Sequence, residues 1–168
     1  MTKTTGRIAF VSKEIFDTTT GIAEADAICA NEASAASLSG TFQALLSTSA
    51  IPAATRPGFD FSAGSAPYVR PDGIKIADAP SLATGGNLDS GIWQNADGTY
   101  VTALVAFSWT GSSTPSSSTT MADTCNDWSS NSNSVSGDVG VVADSVLWWT
   151  TGLSQGCNGS LRIYCLQE

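Results

Sequence analysis

Catalytic chemistry has few candidate residues in this sequence. The chain contains no histidine, so neither a Ser-His-Asp triad nor a Cys-His pair can form. Two carboxylate pairs, Glu24 with Asp26 and Asp123 with Asp127, have the residue type that glycoside hydrolases use, but acids spaced in this way are more typical of a solvated surface. We therefore predict that the chain is not an enzyme.

Cysteines are the second group able to do chemistry. There are four of them, Cys29, Cys125, Cys157 and Cys165, and none belongs to a Cys-x-x-Cys pair. Without that spacing and without histidine, a zinc site is not expected. An even number of widely spaced cysteines indicates two disulfides, for which three pairings are open. Because disulfides persist in oxidising compartments, we predict an extracellular or cell-surface protein.

Oxygen-bearing side chains offer two interpretations as calcium ligands. Residues 95–99, Asn-Ala-Asp-Gly-Thr, lack the alternating acids and terminal glutamate of a calcium loop, so we predict a hairpin turn there. A second set of acids and amides falls in the loops of the second half: Asp123, Asn126, Asp127, Asp138 and Asp144. Loop oxygens suit calcium, yet polar loops also use such side chains for capping. No recognised motif supports calcium, which stays an open alternative, and no other metal or cofactor is expected.

Aromatic side chains supply the candidates for ligand binding. The five tryptophans all fall in the second half: Trp93, Trp109, Trp128, Trp148 and Trp149. Adjacent side chains of an extended segment point to opposite faces, so at least one of Trp148 and Trp149 is expected to be exposed. Trp93, directly before the 95–99 turn, is a second candidate. An exposed tryptophan beside acids and amides is typical of a sugar or peptide site. The predicted ligand-binding residues are Trp93, Trp148, Trp149, Asn126, Asp127 and Asp144.

Net charge limits the partners. The sequence has 15 acidic and 7 basic residues, a net charge of −8, and no run of lysine or arginine. Nucleic acids and heparin would be repelled, whereas a neutral glycan, a cation or a basic peptide is compatible. No window reaches the roughly 18 apolar residues of a membrane span, so no membrane insertion is expected.

Chain length and the N-terminal residues bear on domain organisation. A length of 168 residues fits one domain. Residues 1–12 lack the apolar stretch of a signal peptide, although the disulfides predict export. We therefore interpret residues 1–168 as a single domain excised from a larger exported surface or fibre protein.

Hydrophobic periodicity predicts two helices near the N-terminus. A short strand is expected at 6–12, where apolar residues alternate. Residues 22–36 follow as a helix because apolar residues recur at helical spacing. After a Ser-Gly-Thr break, a second, shorter helix is predicted, with Phe42, Leu45 and Leu46 as its buried face.

The rest of the chain predicts strands and long loops. Residues 68–76 are predicted as two short strands around a Pro-Asp-Gly turn, the apolar run 100–107 as a central strand, and 161–166 as the closing strand. Stretches rich in Ser, Thr and Asn at 111–120 and 129–137 are expected to be loops. Because the first and last strands can pair antiparallel, the chain ends should meet at one pole and the loops at the other. One shared core is expected for Ile22, Cys29, Phe42, Leu45, Phe107 and Ile163.

Several of these segments resemble one family. Gly21-Ile-Ala-Glu-Ala-Asp-Ala-Ile-Cys29 followed by Leu38-Ser-Gly-Thr-Phe-Gln-Ala-Leu-Leu-Ser47 resembles the core signature of endostatin and of an allied bacterial family of surface domains. Weaker matches at 67–73, 108–112, 125–128 and 161–165 extend the resemblance over nearly the whole chain. It implies an α+β, C-type-lectin-like (endostatin-like) fold, with two N-terminal helices packed on a mixed or antiparallel sheet and long loops. It also implies two nested disulfides, Cys29–Cys165 and Cys125–Cys157.

The residues that carry function in those relatives are missing here. The zinc-binding histidines and clustered arginines of endostatin are absent, as are the calcium-dependent lectin motifs Glu-Pro-Asn, Gln-Pro-Asp and Trp-Asn-Asp. We predict a non-catalytic recognition module of a bacterial surface adhesin or fibre, which binds a glycan or a protein on another cell or in the matrix through loops opposite the termini. The alternative is a structural or oligomerising cap, for instance a trimer on a stalk, with no small ligand.

Overall fold

The computed structural model describes residues 3–103, 105–149 and 152–168. Over these residues the chain is a mixed α+β protein whose core is mostly sheet. Its helices and strands are β1 (Arg7–Val11), α1 (Ile22–Ala35), β2 (Phe42–Ala44), β3 (Tyr68–Val69), β4 (Lys75–Ala77), α2 (Ala79–Thr84), β5 (Phe107–Trp109), β6 (Ser136–Val141), β7 (Ser154–Gly156) and β8 (Arg162–Gln167). The strands form one sheet in the order β4-β3-β1-β8-β5-β6-β7, and β2 also pairs with β8.

The two terminal strands lie side by side in the middle of the sheet, as predicted. β1 and β8 are antiparallel, with Phe10 opposite Cys165. Phe10 and Cys165 point into one hydrophobic core on the α1 side, and Val11, Tyr164 and Leu166 point into another on the opposite face. Successive residues of a strand face opposite sides, so the unbroken apolar run in β8 fits a strand that is covered on both faces.

Beyond these strands, the first and last described residues go to different places. Thr4 N donates to Gly73 O (2.9 Å) in the turn between β3 and β4, whereas Glu168 N donates to Thr41 O (3.0 Å) beside β2. Thr4 and Glu168 thus contact different segments, while the start of β1 and the end of β8 meet at the same end of the sheet, as predicted.

Helix α1 confirms the prediction for residues 22–36. Its buried residues Ala25, Ile28, Cys29 and Ala33 occupy positions i, i+3, i+4 and i+8, which places them on one face of the helix. That face packs on the sheet through β2 and β8. The helix therefore covers one of the two hydrophobic cores.

Ser37 ends α1 in a left-handed conformation that favours glycine. Its φ is 57°, and Leu38 N donates to Ala33 O (2.9 Å) while Ser37 N donates to Ser34 O (3.0 Å), the Schellman pattern. Ser37→Gly is expected to raise the free energy of unfolding by about 0.5–1 kcal/mol, because glycine has no Cβ to clash at this φ. Urea unfolding measures the change. The control Ser34→Gly lies inside the helix and should lower the free energy of unfolding by a similar amount. If both substitutions change the free energy of unfolding in the same direction, the capping argument is wrong.

The second predicted helix is wrong, because residues 42–44 form strand β2. Phe42, Gln43 and Ala44 are all buried and pair antiparallel with the end of β8. An amphipathic surface helix would leave one face in solvent, whereas this segment is a strand of the sheet and is covered by α1. The spacing that suggested a helix arises because Leu45 enters one core and Leu46 the other.

The core that was expected to be shared is divided by the sheet. The cluster on the α1 side takes five of the six expected residues: Cys29, Phe42 and Ile163, with Ile22 and Phe107 packed against it. Leu45 lies in the cluster on the opposite face. A strand delivers consecutive side chains to opposite sides, so replacing the predicted helix by a strand moves Leu45 across the sheet.

The predicted central strand over 100–107 is wrong for most of its length. Only Phe107 belongs to a strand, β5, which lies between β6 and β8. Of the preceding residues, Val101 is buried whereas Val105 is 62% exposed, and Leu104 lies outside the described residues. The described residues between Val101 and Ala106 therefore lie in a loop with an exposed aliphatic side chain, and strand pairing begins at Phe107, where two neighbouring strands are available.

Two predicted turns are confirmed. Strands β3 and β4 are joined by a turn in which Gly73 N donates to Arg70 O (2.8 Å). The 95–99 segment is a hairpin turn in which Asn95 N donates to Thr99 O (2.8 Å). Of the two predicted loops, 111–120 contains no helix or strand, and 129–137 is a loop only up to Ser136, where β6 begins.

Two disulfides join distant parts of the chain. Cys29–Cys165 ties α1 to β8, and Cys125–Cys157 closes the loop that contains β6 and β7, which is the pairing that the resemblance implies. Two disulfides indicate an oxidising setting. Among the described residues, no helix has the length and apolar character needed to cross a membrane.

Candidate functional site

Trp148 and Trp149, expected to include an exposed ring, are both buried. They are 0% and 3% exposed and meet edge to face with ring centroids 5.5 Å apart. Trp148 Nε1 donates to Gly86 O (2.9 Å), and Trp149 Nε1 donates to Ser112 O (2.8 Å). The expectation of an exposed ring is wrong because the segment bends, so adjacent side chains enter the same core instead of alternating.

Asp144 organises the loop that buries these rings. Its Oδ1 accepts from Val146 N (2.7 Å) and Leu147 N (2.8 Å), and the hydrogen bonds from Leu147 and Val146 hold the pKa of this carboxyl below its usual value. Val141 N donates to Leu147 O (2.9 Å), which fixes the loop to β6. The carboxylate predicted to contact a ligand is thus engaged by its own loop.

Asn126 and Asp127 lie in a four-residue left-handed turn, Cys125–Trp128. All four residues have φ between 51° and 61°, a conformation that costs L-residues free energy. Both ends of the turn are fixed: Cys125 is disulfide-bonded, and Trp128 Nε1 donates to Ser47 O (2.8 Å). The surrounding structure therefore over-determines this strained turn.

The Asp127 side chain is committed to a neighbouring loop. Its Oδ1 accepts from Ser49 N (2.7 Å) and Thr124 Oγ1 (3.0 Å), and its Oδ2 accepts from Ser49 Oγ (2.5 Å). Burial raises the pKa of Asp127, but the hydrogen bonds from Ser49 and Thr124 outweigh burial and hold that pKa below its usual value. These contacts support a structural role for the carboxylate.

Trp93 is the one tryptophan of the five with a partly exposed side chain, and it lies against an exposed tyrosine. The Trp93 and Tyr100 ring centroids are 4.8 Å apart, with an angle of 41° between the planes, and Tyr100 is 41% exposed. The Arg70 guanidinium carbon lies 5.5 Å from the Trp93 ring centroid. We call Trp93 and Tyr100 the aromatic platform.

A fully engaged carboxylate orients the aromatic platform. Asp72 Oδ2 accepts from Tyr100 Oη (2.8 Å) and Arg70 Nη2 (3.0 Å), Asp72 Oδ1 accepts from Ile74 N (3.0 Å), and Gln94 Oε1 accepts from Asp72 N (2.8 Å). Burial raises the pKa of Asp72, but its hydrogen bonds outweigh burial and lower that pKa, so it is ionised at neutral pH. The hydrogen bond to Asp72 raises the pKa of Tyr100. The tyrosine ring is therefore held in one orientation.

Sequence reasoning identified Trp93 and missed its neighbours. Tyr100 had a signal: once 95–99 is a hairpin turn, Gln94 pairs with Tyr100 and Trp93 becomes its diagonal neighbour across the hairpin. Arg70 and Asp72 come from the β3–β4 turn, and no local pattern connects that turn to the hairpin. Only the tertiary fold brings the two turns together.

The hairpin that carries the aromatic platform, residues 93–100, is hydrogen-bonded to the centre of the sheet. Val11 N donates to Gln94 O (3.0 Å), and Asn95 Nδ2 donates to Val11 O (2.9 Å), at the end of β1. Lys13 Nζ lies 2.8 Å from Asp97 Oδ2, which adds an exposed ion pair to the same hairpin. Rigid support of this kind reduces the entropy lost when a ligand binds.

The acids and amide considered as a calcium set do not form one cluster. Asp123 and Asp138 lie together because Thr124 pairs with Gly137 in an antiparallel bridge, which makes Asp123 and Asp138 adjacent. Burial, together with the nearby charge of Asp123, raises the pKa of Asp138 to about 6. Within the described ranges, no three or more histidine, cysteine or acidic side chains form a group that suits a metal ion.

A separate polar cavity of about 250 Å³ opens beside the Cys125–Cys157 disulfide. Its polar lining residues are Asp17, Thr18, Asn131, Asn158 and Ser160. Ligand pockets usually measure about 300–1,000 Å³ and have mostly apolar walls. This cavity is smaller and more polar, so the aromatic platform is the better candidate for a binding surface.

Comparison of the chain with protein-family models gave no match, and comparison with curated proteins gave none either. The resemblance to endostatin-like domains therefore stays a prediction from sequence. The structure establishes a mixed α+β, mostly sheet core with two disulfides and an aromatic platform at the junction of two turns.

Proposed function

We propose that this domain is a non-catalytic recognition module that binds a neutral glycan on the aromatic platform. The observation that carries the proposal is the contact between the partly exposed Trp93 and the exposed Tyr100, with ring centroids 4.8 Å apart, beside the charged groups of Arg70 and Asp72. Rigid aromatic surface with a few fixed polar groups is how binding sites combine affinity with orientation.

The charge of the chain selects among glycans. A net charge of −8 disfavours sulfated and other polyanionic chains. The C–H face of a neutral sugar ring packs on aromatic carbon, and Tyr100 Oη, which donates to Asp72, keeps lone pairs that can accept from a sugar hydroxyl. The endostatin-like resemblance supports placing the module in an extracellular adhesin or fibre of a bacterial surface, where the ligand lies on another cell or in the matrix.

The test is a glycan array followed by affinity measurements on platform variants. Trp93→Ala is expected to weaken binding of the best array ligand by about 10- to 100-fold, in the range of an interface hot spot. Tyr100→Ala should have a similar effect, and Tyr100→Phe a smaller one, because the ring remains while its hydrogen bond to Asp72 is lost. Isothermal titration measures each affinity. A C-terminal tag is preferable, because Thr4 bonds to Gly73, next to Asp72.

A matched control separates binding from folding. Ile51→Ala removes a side chain that is 42% exposed, close to the 41% of Tyr100, without touching the platform, and it should leave affinity unchanged. If Tyr100→Ala and Trp93→Ala bind as tightly as the unmodified chain while both remain folded, the platform is not the site and the proposal is wrong. Absence of any hit on an array of neutral glycans would contradict the ligand class.

An oligomerising cap is the second candidate function, and exposed aliphatic side chains favour it. Val105 is 62% exposed and Val146 is 54% exposed, and self-association buries apolar side chains of this kind where they lie together in one patch. Sedimentation velocity distinguishes the candidates. A stable trimer that Val105→Ser and Val146→Ser together dissociate would support the cap, whereas a monomer at all concentrations would exclude it.

A further inference from the structure

Thr110 and Asp138 are cross-strand neighbours on one face of the sheet. Trp109 pairs with Val139, so Thr110 and Asp138 are next in the antiparallel register, and Thr110 N donates to Asp138 O (2.9 Å). Trp109 and Val139 both face the core on the α1 side. The side chains of Thr110 and Asp138 therefore share the other face, where the Cβ atoms of such pairs lie about 4.5–5.5 Å apart.

Asp123 joins this pair from the 3₁₀ turn Met121–Asp123. The bridge between Thr124 and Gly137 makes Asp123 and Asp138 neighbours. Asp123 Oδ2 accepts from Thr120 Oγ1 (2.8 Å), Thr120 N (3.4 Å) and Thr119 Oγ1 (3.2 Å). All three donors bond to Oδ2, so these contacts hold the Asp123 carboxylate through that oxygen alone.

Among the described residues, the two carboxylates lack a cationic partner and the Thr110 hydroxyl lacks a hydrogen-bond partner. Neither Asp123 nor Asp138 belongs to an ion pair among the described residues, and adjacent carboxylates repel each other. Thr110 is 0% exposed, and its Oγ1 has no hydrogen-bond partner. A buried hydroxyl in that state is a cost to folding, and native proteins rarely keep one without a reason.

We propose that Asp123, Asp138 and Thr110 form a site for a hard divalent cation of the calcium class. Carboxylate and hydroxyl oxygens are the ligands that such cations take. A cation between the two carboxylates relieves their repulsion, and it accepts the lone pair of the buried Thr110 hydroxyl that no protein donor uses. The site is separate from the aromatic platform, and the experiment on one does not decide the other.

The number of protein ligands sets the affinity. Two carboxylates and one hydroxyl leave several of the six to eight calcium positions to water or to backbone oxygens, and the described residues bring no third acidic side chain. Binding with a Kd of about 10⁻⁴–10⁻³ M is therefore expected, the range of extracellular calcium modules. Such a site is filled at millimolar extracellular calcium and empty at the far lower levels inside cells.

Thermal unfolding of the chelator-stripped domain tests the proposal with calcium itself. Addition of 10 mM CaCl₂, about 10 to 100 times that Kd, is expected to raise Tm by about 4–8 °C. Sodium chloride at matched ionic strength measures what screening of the −8 net charge does alone. Terbium offers a second readout: Trp109, next to Thr110 in the chain, should sensitise its emission, and calcium should displace the signal.

Three variants locate the effect. Asp138→Asn and Asp123→Asn are each expected to abolish the calcium-specific rise in Tm and the displaceable terbium signal. Thr110→Val should weaken calcium binding several-fold while leaving Tm in chelator unchanged or higher, because it removes an unpaired buried hydroxyl. The control Asp78→Asn makes the same charge change at an exposed position near Lys75 and should keep the full calcium effect.

Two results would overturn the cation site. One is a Tm rise with CaCl₂ no larger than that with matched sodium chloride. The other is a calcium effect retained in Asp138→Asn, which keeps the size of the side chain and is expected to fold. If Asp123→Asn loses stability through its contacts with Thr120, the decision rests on Asp138→Asn and Thr110→Val.

Discussion

Replacing Cys29 and Cys165 together by alanine is expected to lower the free energy of unfolding by about 5 kcal/mol. The bridge closes a loop with a sequence separation of 136, and a cross-link restricts the unfolded chain more as the loop lengthens. Domains of this size are stable by only about 5–15 kcal/mol, so the double variant should be partly or wholly unfolded at 37 °C. Urea unfolding under non-reducing conditions measures the loss.

The second bridge provides the matched comparison. Cys125 and Cys157 are separated by 32 positions, for which the same chain-entropy relation gives about 4 kcal/mol. Both bridges are buried, so each pair of alanines leaves a similar small cavity. The double variant Cys125→Ala with Cys157→Ala could instead lose more free energy of unfolding than Cys29→Ala with Cys165→Ala. That result would show that local strain in the left-handed turn, not loop closure, dominates the stability that these bridges confer.

Local sequence patterns correctly predicted a helix with one buried face and two turns with characteristic residues. Helix α1 was predictable because its apolar residues keep helical spacing over 14 residues. The turns at 70–73 and 95–99 were predictable because glycine, proline and aspartate have specific backbone preferences there. The pairing of the first and last strands followed from having one strand at each end of a single domain.

The failures have different physical causes, and each of them depends on the tertiary structure. At β2, every residue from Phe42 to Ala44 is covered, so no polar face marks the period. At 100–107 the apolar run indicated a strand, but tertiary pairing is available only from Phe107 onward. Trp148 and Trp149 were assigned to opposite faces because the segment was taken as extended, and the bend around Asp144 was not visible in the sequence.

The candidate site was only half visible in the sequence for a related reason. Trp93 stands out by type and by its place before a turn, and hairpin geometry leads to Tyr100. Arg70 and Asp72 are brought in by the parallel pairing of β1 with β3, a contact between residues about 60 positions apart. Such non-local pairings depend on the whole sheet, so the charged half of the site required the structure.

Gly140→Ala is expected to be the most damaging substitution of a single small residue, with a loss of about 3 kcal/mol or more. A Cβ at position 140 would overlap the backbone carbonyl of Trp148. That carbonyl has no room to retreat, because Tyr164 Oη donates to it (3.1 Å) and Trp148 Nε1 donates to Gly86 O (2.9 Å). Either β6 or the tryptophan loop must move, and both are packed in the core. Thermal and urea unfolding of the purified variant measure the loss.

Gly86→Ala is the matched control, because it adds a Cβ near the same tryptophan without a backbone clash. A Cβ at Gly86 would meet Ser81 O at 3.4 Å, an ordinary contact, so the loss should stay below about 1 kcal/mol although Gly86 touches the same tryptophan. If Gly140→Ala is equally mild, the loop from Asp144 to Trp149 shifts easily. Trp148 and Trp149 are then able to reach the surface, and the assignment of ligand binding to Trp93 and Tyr100 alone loses its structural basis. A large loss for Gly140→Ala with a small one for Gly86→Ala fixes both rings in the core and leaves the aromatic platform as the binding candidate.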